Sequence, residues 1–143
     1  MRISELTLDR YNEVLALMRA TPGIVVRETD APAAVARYLE RNPGLSFVAE
    51  DAGRIVGCAL SGHDGRRGYL QHVVVAPEFR NRGIAEALVK RCLDTLAACG
   101  IEKSHLDVLA TNSPALGYWA RRGWVRRDDI VRFSFTRSDR PDA

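Results

Sequence analysis

The chain has 143 residues, a net charge of +3, 46% hydrophobic and 27% charged residues, the balance of one soluble domain and too little chain for two comfortable ones. No apolar run approaches the roughly 18–20 residues that span a bilayer. The start Met1-Arg2-Ile3-Ser4-Glu5 also lacks the apolar core of a signal peptide, so a cytoplasmic protein with no membrane partner is expected.

In chain order, Arg2 to Leu6 reads as a short strand. Thr7 can cap a helix from Leu8 to about Arg19, with Leu8, Tyr11, Leu15 and Met18 on one face. Pro22-Gly23 breaks it, and Asp30 can cap a second helix that carries Pro32 in its first turn and ends before Pro43-Gly44. Leu45 to Glu50 and Arg54 to Leu60 are apolar strands joined by the hairpin signal Asp51-Ala52-Gly53. Asp64-Gly65 turns the chain into a strand from Gly68 to Val75, which Ala76-Pro77 stops.

From Arg82 to Ala98 the period becomes helical, with Ile84, Ala85, Leu88, Val89, Cys92, Leu93 and Leu96 as a broad apolar stripe and Gly100 as the stop. A strand from Ser104 to Leu109, a helix from Asn112 to Arg122 and strands at 124–126 and 130–136 complete the chain. The expected fold is α/β (α+β). A mixed, mostly antiparallel sheet is flanked by about four helices, in the order β-α-α-β-β-β-α-β-α-β-β. Residues 1–136 form one domain, and 137–143 are a frayed tail.

Cys92 and Cys99 stand seven residues apart on one helix, about 10 Å, too far for a disulfide. With Cys58 they read as core or surface residues, and no His/Cys spacing implies a metal. The scattered arginines read as a solvated surface. Arg80 and Arg82 are the exception. In Arg80-Asn81-Arg82-Gly83-Ile84-Ala85 a basic loop leads from the end of a strand to the start of a helix. Helix N-termini carry unpaired N–H groups and roughly half a positive charge, a ready site for phosphate. Gly83 removes the Cβ that would hinder close approach.

This loop resembles the R/Q-x-x-G-x-G/A loop that binds the CoA pyrophosphate in GNAT acetyltransferases. The stretch Asn112-Ser113-Pro114-Ala115-Leu116-Gly117-Tyr118-Trp119-Ala120-Arg121-Arg122-Gly123-Trp124 resembles the same family's N-x-x-A-x-x-(F/L)-Y-x-x-x-G-F signature. With the element order, the chain is similar to a bacterial-type, single-domain GNAT member with the acyl-CoA N-acyltransferase fold.

The resemblance implies an N-acetyltransferase with acetyl-CoA as cosubstrate. Arg80, Asn81, Arg82, Gly83, Ile84 and Ala85 would cradle the pyrophosphate. The backbone of Val73, Val74 and Val75 would pair with the pantetheine arm as an added strand would. Asn112 would bond the pantetheine, cap its own helix, or both, and Tyr118 would lie near the cofactor. The strands carrying Val75 and Ser104 would splay, with the acetyl group in the gap, and an N–H near Val75 would stabilise the oxyanion. The acceptor would be a small-molecule or peptide amine. No nucleic-acid partner is implied, and a homodimer is compatible with the reading.

A lysine-like amine costs about 4–5 kcal/mol to deprotonate at pH 7, so a base or water chain is needed. Leu106-Asp107-Val108 resembles the L-E-V strand of the members that acetylate ribosomal-protein N-termini, making Asp107 a candidate base or else a surface carboxylate. Tyr69 stands where other members carry Glu. His72 has the right chemistry, yet strand alternation sets it on the face opposite Tyr69 and Gln71. Where the family has an acid Tyr, the chain has Trp119. Tyr118 beside it, or water, is the alternative proton donor, and either aromatic can instead be a packing residue. These departures leave open a non-catalytic acyl-CoA-binding sensor.

Overall fold

Two tight reversals turn the middle of the chain into a three-stranded meander. Ala52 (φ 50°) and Gly53 (φ 78°) adopt successive positive φ angles, the twist a two-residue hairpin requires. They join β2 (Phe47–Asp51) to β3 (Arg54–His63). The Asp64 carboxylate then accepts the N–H groups of Arg66 and Arg67, both at 2.8 Å, and turns the chain into β4 (Gly68–Val75).

The computed structural model describes all 143 residues and falls into two units, one of residues 1–106 with Asp142 and one of residues 107–141 with Ala143. The first unit holds a five-stranded sheet in the order β1-β2-β3-β4-β5, with β1 at Arg2–Glu5 and β5 at Ser104–His105. The first four strands run antiparallel, and β5 lies parallel to β4. Helices α1 (Tyr11–Ala20) and α2 (Pro32–Arg41) cover one face, over Leu6, Val14, Leu17, Met18, Val48, Cys58, Leu60 and Val74. Helix α3 (Ile84–Ala98) covers the other, over Phe47, Ala49, Val56, Ala59, Ile84, Leu88 and Cys92. The second unit contains α4 (Ser113–Arg121).

Several expected boundaries move. Thr7 does not cap a helix: its hydroxyl bonds the Asp9 carboxylate, and Leu8–Arg10 forms a 3-10 turn ahead of α1. Asp30 does not cap α2, whose N-cap is Ala31 with Pro32 at its first position. The strand expected at 104–109 pairs only at Ser104 and His105, and residues 124–126 and 130–136 form no strand. A ladder needs a partner edge as well as alternation. Here the alternating Val131, Phe133 and Phe135 stay 80%, 93% and 90% exposed.

The thiols follow burial. Cys58 and Cys92 are buried and Cys99 is exposed. Burial pushes Cys58 up to about 12 and Cys92 up to about 11, far from a reactive thiolate at neutral pH. In the native protein a disulfide-exchange reagent should titrate one thiol, assigned to Cys99 by mass spectrometry, and all three only after denaturation. Blocking Cys99 should leave acetyl transfer unchanged, and rapid native labelling of Cys58 or Cys92 would contradict this packing.

Candidate active site

The start of α3 is shaped by two left-handed residues, Asn81 (φ 62°) and Gly83 (φ 77°). Asn tolerates that region better than most residues, and glycine adopts it without strain. The first bond back into the helix runs from the Ala87 N–H to the Gly83 carbonyl at 3.1 Å. Nothing in the protein accepts from the N–H groups of Gly83, Ile84 and Ala85. A Cβ built on Gly83 would meet no protein atom within 4 Å, so the space beside Gly83 is open.

The arginines of the loop differ. Arg82 lies over the Phe79 ring at 4.8 Å and donates to the Glu78 carbonyl at 3.3 Å, while Glu78 pairs with Arg54 at 2.7 Å. Arg80 is exposed and makes no ion pair, leaving its charge available beside the free amides. This donor set, amides with the Arg80 guanidinium, fits a pyrophosphate; the nearby carboxylates are Glu78, which Arg54 holds, and Glu86 in the first turn of α3.

Strand β4 leads into that loop. It pairs with β5 only at Gly68↔Ser104 and Tyr69↔His105, so Leu70 to Val75 have no partner on that edge. The ladder with β5 ends at Tyr69, and an extended ligand arm could bond this open backbone. Val74 is buried, and Val73 and Val75 are half-buried.

The strand also carries a bulge. Cys58 pairs with Val74 but Leu60 pairs with Gln71, so β4 has one residue more than β3 over this stretch, and His72 takes a left-handed φ of 46°. Alternation alone would place His72 opposite Tyr69 and Gln71. The bulge breaks that alternation. The His72 ring reaches Asp30 on the α1–α2 side, with Nε2 2.8 Å from Oδ1, the face that Gln71 shares with Leu60.

Asp30 is buried, and its other oxygen accepts the Arg27 N–H at 2.9 Å. Burial pushes this carboxyl up, but the hydrogen bonds from His72 and the Arg27 N–H outweigh it and hold the group below its usual range. No local pattern in the sequence marks the pairing of Asp30 with His72. The position of Asp30, an acidic residue before a helix, pointed to a cap.

In the second unit Asn112 caps α4, its side-chain oxygen accepting the Ala115 N–H at 3.2 Å. Trp119 lies edge-on to Tyr118 at 5.1 Å and to Trp124 at 5.4 Å, and Arg122 sits over the Tyr118 ring at 5.0 Å. Trp119 is thus held between two aromatics, while the Tyr118 hydroxyl bonds no protein group. Asp107 is exposed and accepts from Arg132 at 3.0 Å.

The Acetyltransferase (GNAT) family profile matches residues 11–124. An acetyltransferase of Pectobacterium atrosepticum is 40% identical over 97 residues, 68% of this chain and 69% of that protein. One of Sodalis glossinidius is 31% identical over 131 residues, 92% of each. Among solved structures, the PaiA N-acetyltransferase of Thermoplasma acidophilum, in complex with coenzyme A, superposes with a TM-score of 0.78 at 16% identity, over 90% of this chain and 92% of that one. With the loop at the start of α3 and the open edge of β4, these likenesses place the chain in the GNAT acetyltransferase family, as an N-acetyltransferase.

Proposed function

We propose that the chain transfers the acetyl group of acetyl-CoA to a primary amine of a small molecule or peptide. Acetyl-CoA is the cosubstrate. The observation that carries this reading is the start of α3, where three unbonded amides, an unpaired Arg80 and the open space beside Gly83 converge. Arg80 to Ala85 hold the pyrophosphate, and the unpaired edge of Val73 to Val75 takes the extended arm. Asn112 serves as cap, and Tyr118 supplies the proton that the departing thiol needs.

In this reading residues 1–136 act as one catalytic domain and 137–143 as a tail. No helix is long and apolar enough to cross a membrane. A cytoplasmic location is supported by three unpaired cysteines. A homodimer is supported by the exposed row Val131, Phe133 and Phe135, and sedimentation of the full chain tests it.

Calorimetry with acetyl-CoA, followed by thiol release across a panel of small amines and amino-terminal peptides, tests the activity. Saturable binding with turnover of at least one amine is expected. Tight binding without turnover of any amine would favour an acyl-CoA sensor, and no binding would overturn the reading.

A further inference from the structure

The geometry points to His72 as the group that takes the proton from the incoming amine, with Asp30 as its positioning residue. This rests on the acetyltransferase reading and names a base for it.

The strand is distorted where the ring is placed. A non-glycine residue held at φ 46° is strained and persists only where its surroundings enforce it. The bulge carries His72 to the face covered by α1 and α2, three residues beyond the last β4–β5 pair at Tyr69, on the stretch of β4 that has lost its neighbour. In the proposed function the acceptor amine must reach the acetyl group beside that stretch.

The pair has the polarity a base requires. An ionised carboxylate can only accept, so Asp30 obliges Nε2 to carry the hydrogen and leaves the lone pair on Nδ1. Nδ1 has no protein partner, and the ring is not enclosed, with 21% of the side chain exposed. Asp30 itself is held from two sides. Its carboxylate accepts the Arg27 N–H, and its carbonyl accepts the Tyr11 hydroxyl. The charged and titratable groups facing the pair are few. Asp30 and Arg27 come from the link before α2, Tyr11 from α1, and Cys58, whose thiol donates to the His72 carbonyl, from β3.

The proton balance is simple. An ammonium N–H bond breaks as an Nδ1–H bond forms, giving an imidazolium paired with Asp30. The neutral amine then has the lone pair that acetyl transfer consumes. Of the two protons the ammonium loses on becoming an amide, one ends on the sulfur of CoA and one passes from His72 to solvent.

The test uses thiol release from acetyl-CoA by the full chain with two probe amines. One is the ε-amine of N-acetyl-lysine amide, of pKa about 10.4, and the other the α-amine of alanine amide, near 8. His72→Ala should lower kcat/KM roughly 10²-fold with the first and much less with the second, because the weaker base is already largely neutral. Added imidazole should restore part of the loss, and the Kd for acetyl-CoA should not change. Asp30→Asn should lower kcat while leaving that Kd in place. Equal losses with both amines and no rescue by imidazole would make the pair a latch and overturn the proposal.

If the parent turns over neither amine, the proposed acceptor class is at fault. Nitrogen-15 spectra of the labelled histidines then decide on His72 separately. The neutral ring should carry its hydrogen on Nε2 in the parent and lose that preference in Asp30→Asn. A neutral ring protonated on Nδ1 would overturn the proposal.

Discussion

Gly83→Val should raise the Kd for acetyl-CoA by well over tenfold, more than about 1.4 kcal/mol. A Cβ at Gly83 would enter space that no protein atom fills. A branched side chain there would stand where the phosphate must approach. Valine is also strained at φ 77°, so a second variant separates loss of fold from loss of site. Gly83→Asn adds a Cβ but tolerates the left-handed region, as Asn81 already does at φ 62°. It should retain the parent's thermal unfolding and still bind acetyl-CoA at least several-fold more weakly. Arg80→Ala, which breaks no ion pair in the protein, should weaken binding with a shallower salt dependence. Calorimetry at two ionic strengths reads all three. Parental affinity in a folded Gly83→Val protein would remove the phosphate site from the start of α3.

Tyr118→Phe should cut kcat about 10²-fold, within the range for a positioned acid, with little change in the Kd for acetyl-CoA. Trp119→Phe should cost less in turnover and more in stability. Its indole is wedged edge-on between Tyr118 and Trp124, and such aromatic contacts contribute about 0.5–1.5 kcal/mol each beyond burial. A larger kcat loss in Trp119→Phe than in Tyr118→Phe would mean that the aromatic pair acts by shape and that water protonates the thiolate. Asp107→Asn belongs in the same experiment. Asp107 and Arg132 form an exposed pair, worth about 0–1 kcal/mol, so turnover should change no more than a few-fold. A 10²-fold loss, steepest below neutral pH where the amine most needs a base, would instead put the proton acceptor at Asp107 and remove it from His72. Steady-state pH–rate profiles of the parent and the three variants distinguish these outcomes.

Asp30 also gives folding a pH dependence of definite sign. Its carboxyl is held below the usual range in the folded protein. The stability it contributes is therefore complete above the unfolded carboxylate pKa, near 3.9, and is lost as pH falls through the lower folded value. Asp30→Asn should remove that part of acid unfolding, read by urea titration between about pH 5 and 2.

What could be read along the chain was local. The strand Gly68–Val75 announced itself through an apolar run between Asp64-Gly65 and Pro77. Helix α3 announced itself through its stripe and the glycine that precedes it, and α4 through the Asn112 cap. The proposed phosphate loop was legible for the same reason, since its residues are six consecutive ones, Arg80 to Ala85. The tertiary structure decided whatever needs a distant partner. No composition marks the bulge that turns His72 onto the face of α1 and α2, because it is a mismatch of register between two strands. Asp30 read as a helix cap because its partner lies 42 residues away. Residues 104–109 and 130–136 carry strand-like patterns, yet only Ser104 and His105 join a ladder. Periodicity states which face a strand would bury, but hydrogen bonding to a neighbouring edge determines whether the strand forms.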